Sequence, residues 1–266
     1  MKKLTFFAVA IAALAFTACG GKKSAQTAEE TDSVKSFEQE QVEAKIKVEL
    51  DSLASALSQL KHLPIVQDGN GIKLTDQEKQ VKPDYLFAPA IAENATTLAE
   101  KYRMISALSV DKKIAELYDM PTDEYQQAIT KLVTDINDPS FKEVQDASTI
   151  YETAQSLYDA MDQNGRINFF WQLAATSLVE ELYVMNQNSE KFIAAFDDDA
   201  AANVTFRTVL LIDAINRLTE YDMDIKPVAD AIAPLSVLNA INVEQLKTQL
   251  AEAKDKIVEA RKALIQ

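Results

Sequence analysis

Cysteine, histidine and tryptophan each occur once in the 266 residues. A single thiol excludes a disulfide framework and any zinc or iron–sulfur site built from several cysteines. Glycine is nearly as scarce, with only Gly69, Gly71 and Gly165 beyond residue 33. That leaves little for phosphate-cradling loops or for turn-rich β folds. Positive charge is in deficit, 27 Lys and Arg against 41 Asp and Glu, for a net charge of −14. A polyanion is therefore the wrong partner electrostatically, and no nucleic acid is expected. After the first twenty residues no stretch reaches the roughly 18 uncharged apolar residues that a membrane-spanning helix needs. What the chain has in quantity is apolar residues, 47% of the total, too many for an intrinsically disordered protein.

The first residues are unlike the rest. Lys2 and Lys3 precede a thirteen-residue uncharged run, Leu4 to Phe16. As a helix that run is about 20 Å long, short of the ~30 Å bilayer core and of the right size for the apolar region of a secretory signal. Phe16-Thr17-Ala18-Cys19-Gly20 follows and resembles the lipobox of bacterial lipoproteins, with Phe16 where the common pattern has Leu. An ordinary secretory leader with an incidental cysteine is the competing reading. The resemblance implies that residues 1–18 are a signal peptide cut after Ala18. It also implies that Cys19 becomes the acylated first residue, carrying palmitate-type chains. Two or more such chains hold a protein on a membrane stably, at ~0.8 kcal/mol per buried methylene.

Cleavage would leave 25 basic residues against 41 acidic ones, a net charge of −16. Residues 19–33 are small and polar without periodicity, and read as a flexible tether spanning about 20 Å by the square-root law. Lys22 and Lys23 lie nearest the lipid, where each favours anionic head groups by about 1 kcal/mol. Residues 34–266 are expected to form a single helical domain.

Helical spacing of apolar residues runs through that domain. Ile46, Leu50, Leu53, Leu57 and Leu60 form one stripe, starting from Asp32 or Ser33 as cap and stopping before Pro64. Thr75 to Glu78 fits a capping box. A helix from Asp84 through Ile105, a short one around Ile114 to Tyr118, and one capped by Thr122 are expected next. Ser140 and Glu143 predict another capping box, and Asn164-Gly165 a left-handed helix end. From Asn242 to Leu264 the stripe steps by three and four without a miss. The expectation is an all-α fold of about nine helices, arranged as an antiparallel bundle or a short helical-repeat array. Glu100-x-Tyr102-x-Met104 against Glu181-x-Tyr183-x-Met185, and Lys112 to Ala115 against Lys191 to Ala194, hint at a pseudo-two-fold repeat of 84–138 and 166–221. Any two amphipathic helices align at some offset, so coincidence is the competing account.

Chemistry-bearing residues are sparse. His62 sits near an expected helix end, where a favourable cation explains it better than a base or metal ligand. The imelysin-like lipoproteins carry Gly-x-His-x-x-Glu, and the residues after His62 do not match. Asp197-Asp198-Asp199 could hold a hard cation but precedes a helix, which makes it a cap. Asp162 to Gly165 hints at a calcium loop, yet Ala160 and Trp171 occupy the first and twelfth ligand positions, which excludes an EF-hand. Phe169, Phe170 and Trp171 are candidate groove residues, with core packing as the other reading. No cofactor and no metal site is expected.

As a whole the chain is similar to the all-helical lipoproteins of unknown function found in Bacteroidota. The resemblance implies two weak O-glycosylation sequons, at Ser33 (Asp32-Ser33-Val34) and Ser52 (Asp51-Ser52-Leu53). Surface export in that group uses acids directly after the cysteine, and Gly20-Gly21-Lys22-Lys23 lacks them. The implied place is the cell envelope, on the outer membrane facing the periplasm. The functional expectation is a non-enzymatic, lipid-anchored module that binds a protein or small-molecule ligand. The alternative is an envelope enzyme with a carboxylate-based, metal-assisted site.

Overall fold

The computed structural model describes residues 37–60, 63–65, 71–143 and 154–265, which are predominantly helical and contain no strand. Cys19, Ser33, the 1–33 leader and tether, and His62 lie outside the described residues. The principal helices are α1 (Phe37–Ser58), α2 (Asp76–Gln80), α3 (Leu98–Leu117), α4 (Asp123–Ile136) and α5 (Ala154–Gln163). They continue with α6 (Ile167–Gln187), α7 (Ser189–Ile193), α8 (Asp198–Leu218), α9 (Lys226–Ile232), α10 (Val243–Glu252) and α11 (Lys254–Ile265). Nine of these have seven residues or more. None among the described residues is long and apolar enough to cross a membrane.

Capping chemistry sets most boundaries. The Thr75–Glu78 box opens α2 as expected. Asp197 caps α8 by accepting from the Ala200 amide at 2.8 Å. Gly165, at φ +65°, ends α5 with Arg166 N donating to the Met161 carbonyl at 2.7 Å and Gly165 N to that of Asp162 at 3.0 Å. That pair of bonds is a Schellman motif. Asp119, at φ 51°, closes α3 the same way, with Met120 N on Ala115 O.

Elsewhere the structure corrects the expected boundaries. The helix predicted from Asp84 to Ile105 is a 3-10 turn at Pro89–Asn94 followed by α3. Thr97 and Glu100 form the box that starts it, since the Glu100 carboxylate also caps the Thr97 amide at 2.9 Å. The separate short helix around Ile114 is the end of α3. The long last helix is split at Ala253, although its stripe of Leu246, Leu250, Ile257, Ala260 and Leu264 stays buried throughout. Residues Pro139–Glu143 form a 3-10 turn in which Asp138 Oδ1 accepts from Ser140 N at 2.9 Å; the Glu143 side chain and the helix expected after it, residues 144–153, lie outside the described residues.

The motifs that suggested an internal repeat occupy different places in their helices. Glu100-x-Tyr102-x-Met104 opens α3, whereas Glu181-x-Tyr183-x-Met185 lies near the end of α6. Lys112 to Ala115 sits inside α3, while Lys191 to Ile193 belongs to the separate α7.

At the centre lies α6, packed against α3, α5, α8, α10 and α11. Fifteen of its 21 residues are buried, the signature of a helix enclosed on every side. Phe170 and Trp171 meet edge-to-face at 5.1 Å, and Tyr158 of α5 completes the triangle at 5.1 and 5.9 Å. Such pairs add about 0.5–1.5 kcal/mol each beyond burial. An enclosed helix that also carries two glutamates must find partners for them, which leads to the site.

Candidate functional site

Glu180 and Glu181 are adjacent on α6 and both fully buried. Consecutive helical residues point about 100° apart, so each faces a different neighbour. Glu180 meets Arg261 of α11, whose Nε donates to Oε2 at 2.8 Å and Nη2 to Oε1 at 2.6 Å. This is a bidentate fork. The guanidinium carbon lies 3.6 Å from the Phe87 ring centre and 3.8 Å from that of Tyr183. Two rings so close to one carbon must lie on its opposite faces, so the cation is sandwiched. Its Nη2 also donates to the Tyr85 carbonyl at 3.3 Å.

Asp111 of α3 completes the cluster. Its Oδ2 accepts from Phe87 N at 2.8 Å and lies 4.0 Å from Arg261 Nη2. Its other oxygen, Oδ1, accepts no hydrogen bond among the described residues. Burial first, and the Glu180 charge second, push the Asp111 carboxyl well above the usual carboxylate range. Burial also raises Glu180, but the Arg261 fork pulls it back. Two buried carboxyls facing one guanidinium cannot both ionise cheaply. The guanidinium forks onto Glu180, and the upward shift falls most heavily on Asp111, which has only one backbone donor and the edge of that cation to offset its burial.

Glu181 turns the other way, toward α8. Ser177 Oγ donates to its Oε1 at 3.1 Å, and Oε2 has no hydrogen-bond partner among the described residues. Burial lifts its carboxyl to about 7, against the downward pull of the Arg207 charge. Arg207 is itself fully buried, with Nη2 donating to the Leu60 carbonyl at 3.4 Å.

A third polar knot ties α3 to the turn after α4. The Tyr102 hydroxyl donates to Asp138, and its ring stacks between Phe141 and Phe169 at 5.4 and 4.6 Å. Burial works to raise Asp138, but the Tyr102 hydroxyl and the Ser140 donors outweigh it and hold the carboxyl below its ordinary value.

The predicted site residues fall as follows. Phe170 and Trp171 are fully buried and pack the core, whereas Phe169 is half-buried and stacks on Tyr102. Ser52 is exposed on α1, its hydroxyl donating to the Val48 carbonyl at 2.9 Å. Asp197 caps and Asp198 accepts from Val243 N at 3.0 Å, as expected of acids at a helix start rather than a cation clamp. Among the described residues no three His, Cys, Asp or Glu side chains converge as metal ligands.

Sequence reasoning missed Asp111, Glu180, Arg261 and Glu181. The available signal was the Glu180-Glu181 pair inside an otherwise uncharged α6. At the surface, Gln126, Gln127, Thr130, Lys131, Thr134 and Asp135 of α4 line an open depression of about 380 Å³. On α8, Phe206 and Val209 stand 60% and 55% exposed. No protein-family model, no curated protein and no solved structure matches the chain.

Proposed function

We propose that this chain is a lipid-anchored helical module of the cell envelope, held through Cys19 on the periplasmic face of the outer membrane, and that it binds a protein partner. The observation that carries the anchor is the lone thiol at the end of a basic-then-apolar leader. What supports binding over catalysis is the allocation of side chains. The buried acids are spent on α3, α6, α8 and α11 contacts, while Phe206 and Val209 are left in water. The alternative, a carboxylate enzyme with a metal, has its best candidate in Asp111 and Glu180, and there the Arg261 guanidinium stands where a cation would go.

The test is fractionation of Cys19→Ala beside the native chain, with labelled palmitate in the medium. The native chain is expected in the membrane fraction with label, and the variant in the soluble fraction without it. A variant that still sediments with membranes, or native material with an unacylated amino end, would falsify the anchor.

A further inference from the structure

We propose that the outward face of α8 is a docking surface for a cationic amphipathic segment of a partner protein, apolar in its middle and basic at both ends. This rests on the binding reading above and names the chemistry of the partner. Asp199, Ala202, Phe206, Val209 and Asp213 step by three, four, three and four, so they form one stripe along the helix. Leu210, half-buried, widens it. The opposite face, with Ala201, Val204, Thr208, Leu211 and Ile215, is already committed to the core. Beside the stripe runs the loop that carries Ile241, 69% exposed. It is fastened to α8 by the Thr205 hydroxyl on the Ala240 carbonyl at 2.8 Å and by Val243 N on Asp198 at 3.0 Å. Exposed apolar side chains thus stand beside a loop that is fastened to α8 at two points.

Charge decides what covers it. Between Asp197 and Asp213 the one basic residue of α8 is Arg207, which is fully buried. Asp197, Asp198 and Asp199 stand exposed at the start of the stripe. At its far end Asp213 and Glu49 share the single guanidinium of Arg217, leaving a net negative charge. The acids at the two ends are fourteen residues apart, about 21 Å along the axis. A second copy of this chain, or an anionic lipid surface, would bring like charge to both ends. A helix laid along the stripe with Lys or Arg about four turns apart meets opposite charge at each end and buries its apolar residues on Phe206 and Val209.

The experiment is selection of a random 18-residue peptide library on the purified full chain, with counter-selection on Phe206→Ser/Val209→Ser. Both positions are exposed, so the double variant should keep its helical content and melting temperature. Asp199→Lys/Asp213→Lys, which leaves the apolar stripe intact, serves as the second variant. The expected winners carry apolar residues between Lys or Arg clusters, weaken as salt rises, and lose at least tenfold in affinity on each variant. Winners that are acidic or neutral, winners that bind the variants equally, or no enrichment at all would overturn the proposal. So would Phe206-dependent self-association in sedimentation, or Phe206-dependent flotation with phosphatidylcholine vesicles. Acylation at Cys19 is untouched in these variants, so loss of peptide binding with membrane retention intact leaves the anchored-module reading standing.

Discussion

Glu180 and Glu181 are neighbours in sequence, equally enclosed, and electrostatically unlike. Glu180 receives a two-pronged guanidinium held between two rings, and shares it with Asp111, whose carboxyl burial pushes well above the usual range. Glu181 receives one hydroxyl and a more distant positive field, and its carboxyl rises to about 7. Burial is the same for both, so burial is not what separates them. The difference is the geometry of the donor set: a fork aligned with the carboxylate plane repays desolvation, and a charge without that alignment repays only part of it. The first glutamate fastens α11 to α6. The second leaves a proton-sensitive point between α6 and α8.

The comparison breaks most visibly at Arg261. Replacing it in Arg261→Met strands Glu180 in the core and empties the sandwich between Phe87 and Tyr183. The expected loss is about 3–5 kcal/mol, read as a melting temperature lower by roughly 10 °C for a domain of this size. A loss below about 1 kcal/mol would mean that the fork is ornamental.

Next in size is the pH dependence set by Glu181. Its folded carboxyl is raised from 4.5 to about 7, so the folded state holds the proton more tightly than the unfolded chain does. The stability this confers is full below pH 4.5 and is lost as pH rises through 7, a decline of about 3 kcal/mol. Glu181→Gln keeps a neutral side chain with an acceptor for Ser177 and should remove that decline. Denaturant unfolding at pH 4.5 and pH 8 measures it: the gap between the two should narrow in the variant, and an unchanged gap would assign the titration to another group.

The smallest effect is expected at Asp111. If its carboxyl is protonated, Asp111→Asn replaces a neutral donor–acceptor by another of like shape, at a cost of about 1 kcal/mol or less. Destabilisation on the scale of Arg261→Met would show instead that a charge had been removed. That result would equalise the two carboxyls and sharpen the contrast with Glu181.

What could be read in advance follows the reach of the rules used. The box at Thr75–Glu78, the Asp197 cap and the left-handed Gly165 depend on residues within five positions of each other, and they stand as expected. The break before α3 depended on an equally local signal, Thr97-x-x-Glu100, which the longer apolar stripe from Phe87 to Ile105 masked. The split at Ala253 carried no such signal, because the stripe passes through it unbroken and the backbone bonds Ala253 N to Gln249 O and Ile257 N to Ala253 O continue on either side. Phe170 and Trp171 went inward because α6 is enclosed on all sides, a property of its neighbours and not of its own period.

The amino-acid order by itself determined that the fold is all-α, where several of the helices begin or end, and which stripe of each is apolar, because propensity, capping and amphipathic phase act within about one or two turns. Only the tertiary structure decided that α6 lies at the centre, that Asp111 and Glu180 share one guanidinium, and that Phe206 and Val209 remain outside. Those outcomes join residues as far apart as Glu180 and Arg261, 81 positions along the chain, and no local periodicity carries information across that distance.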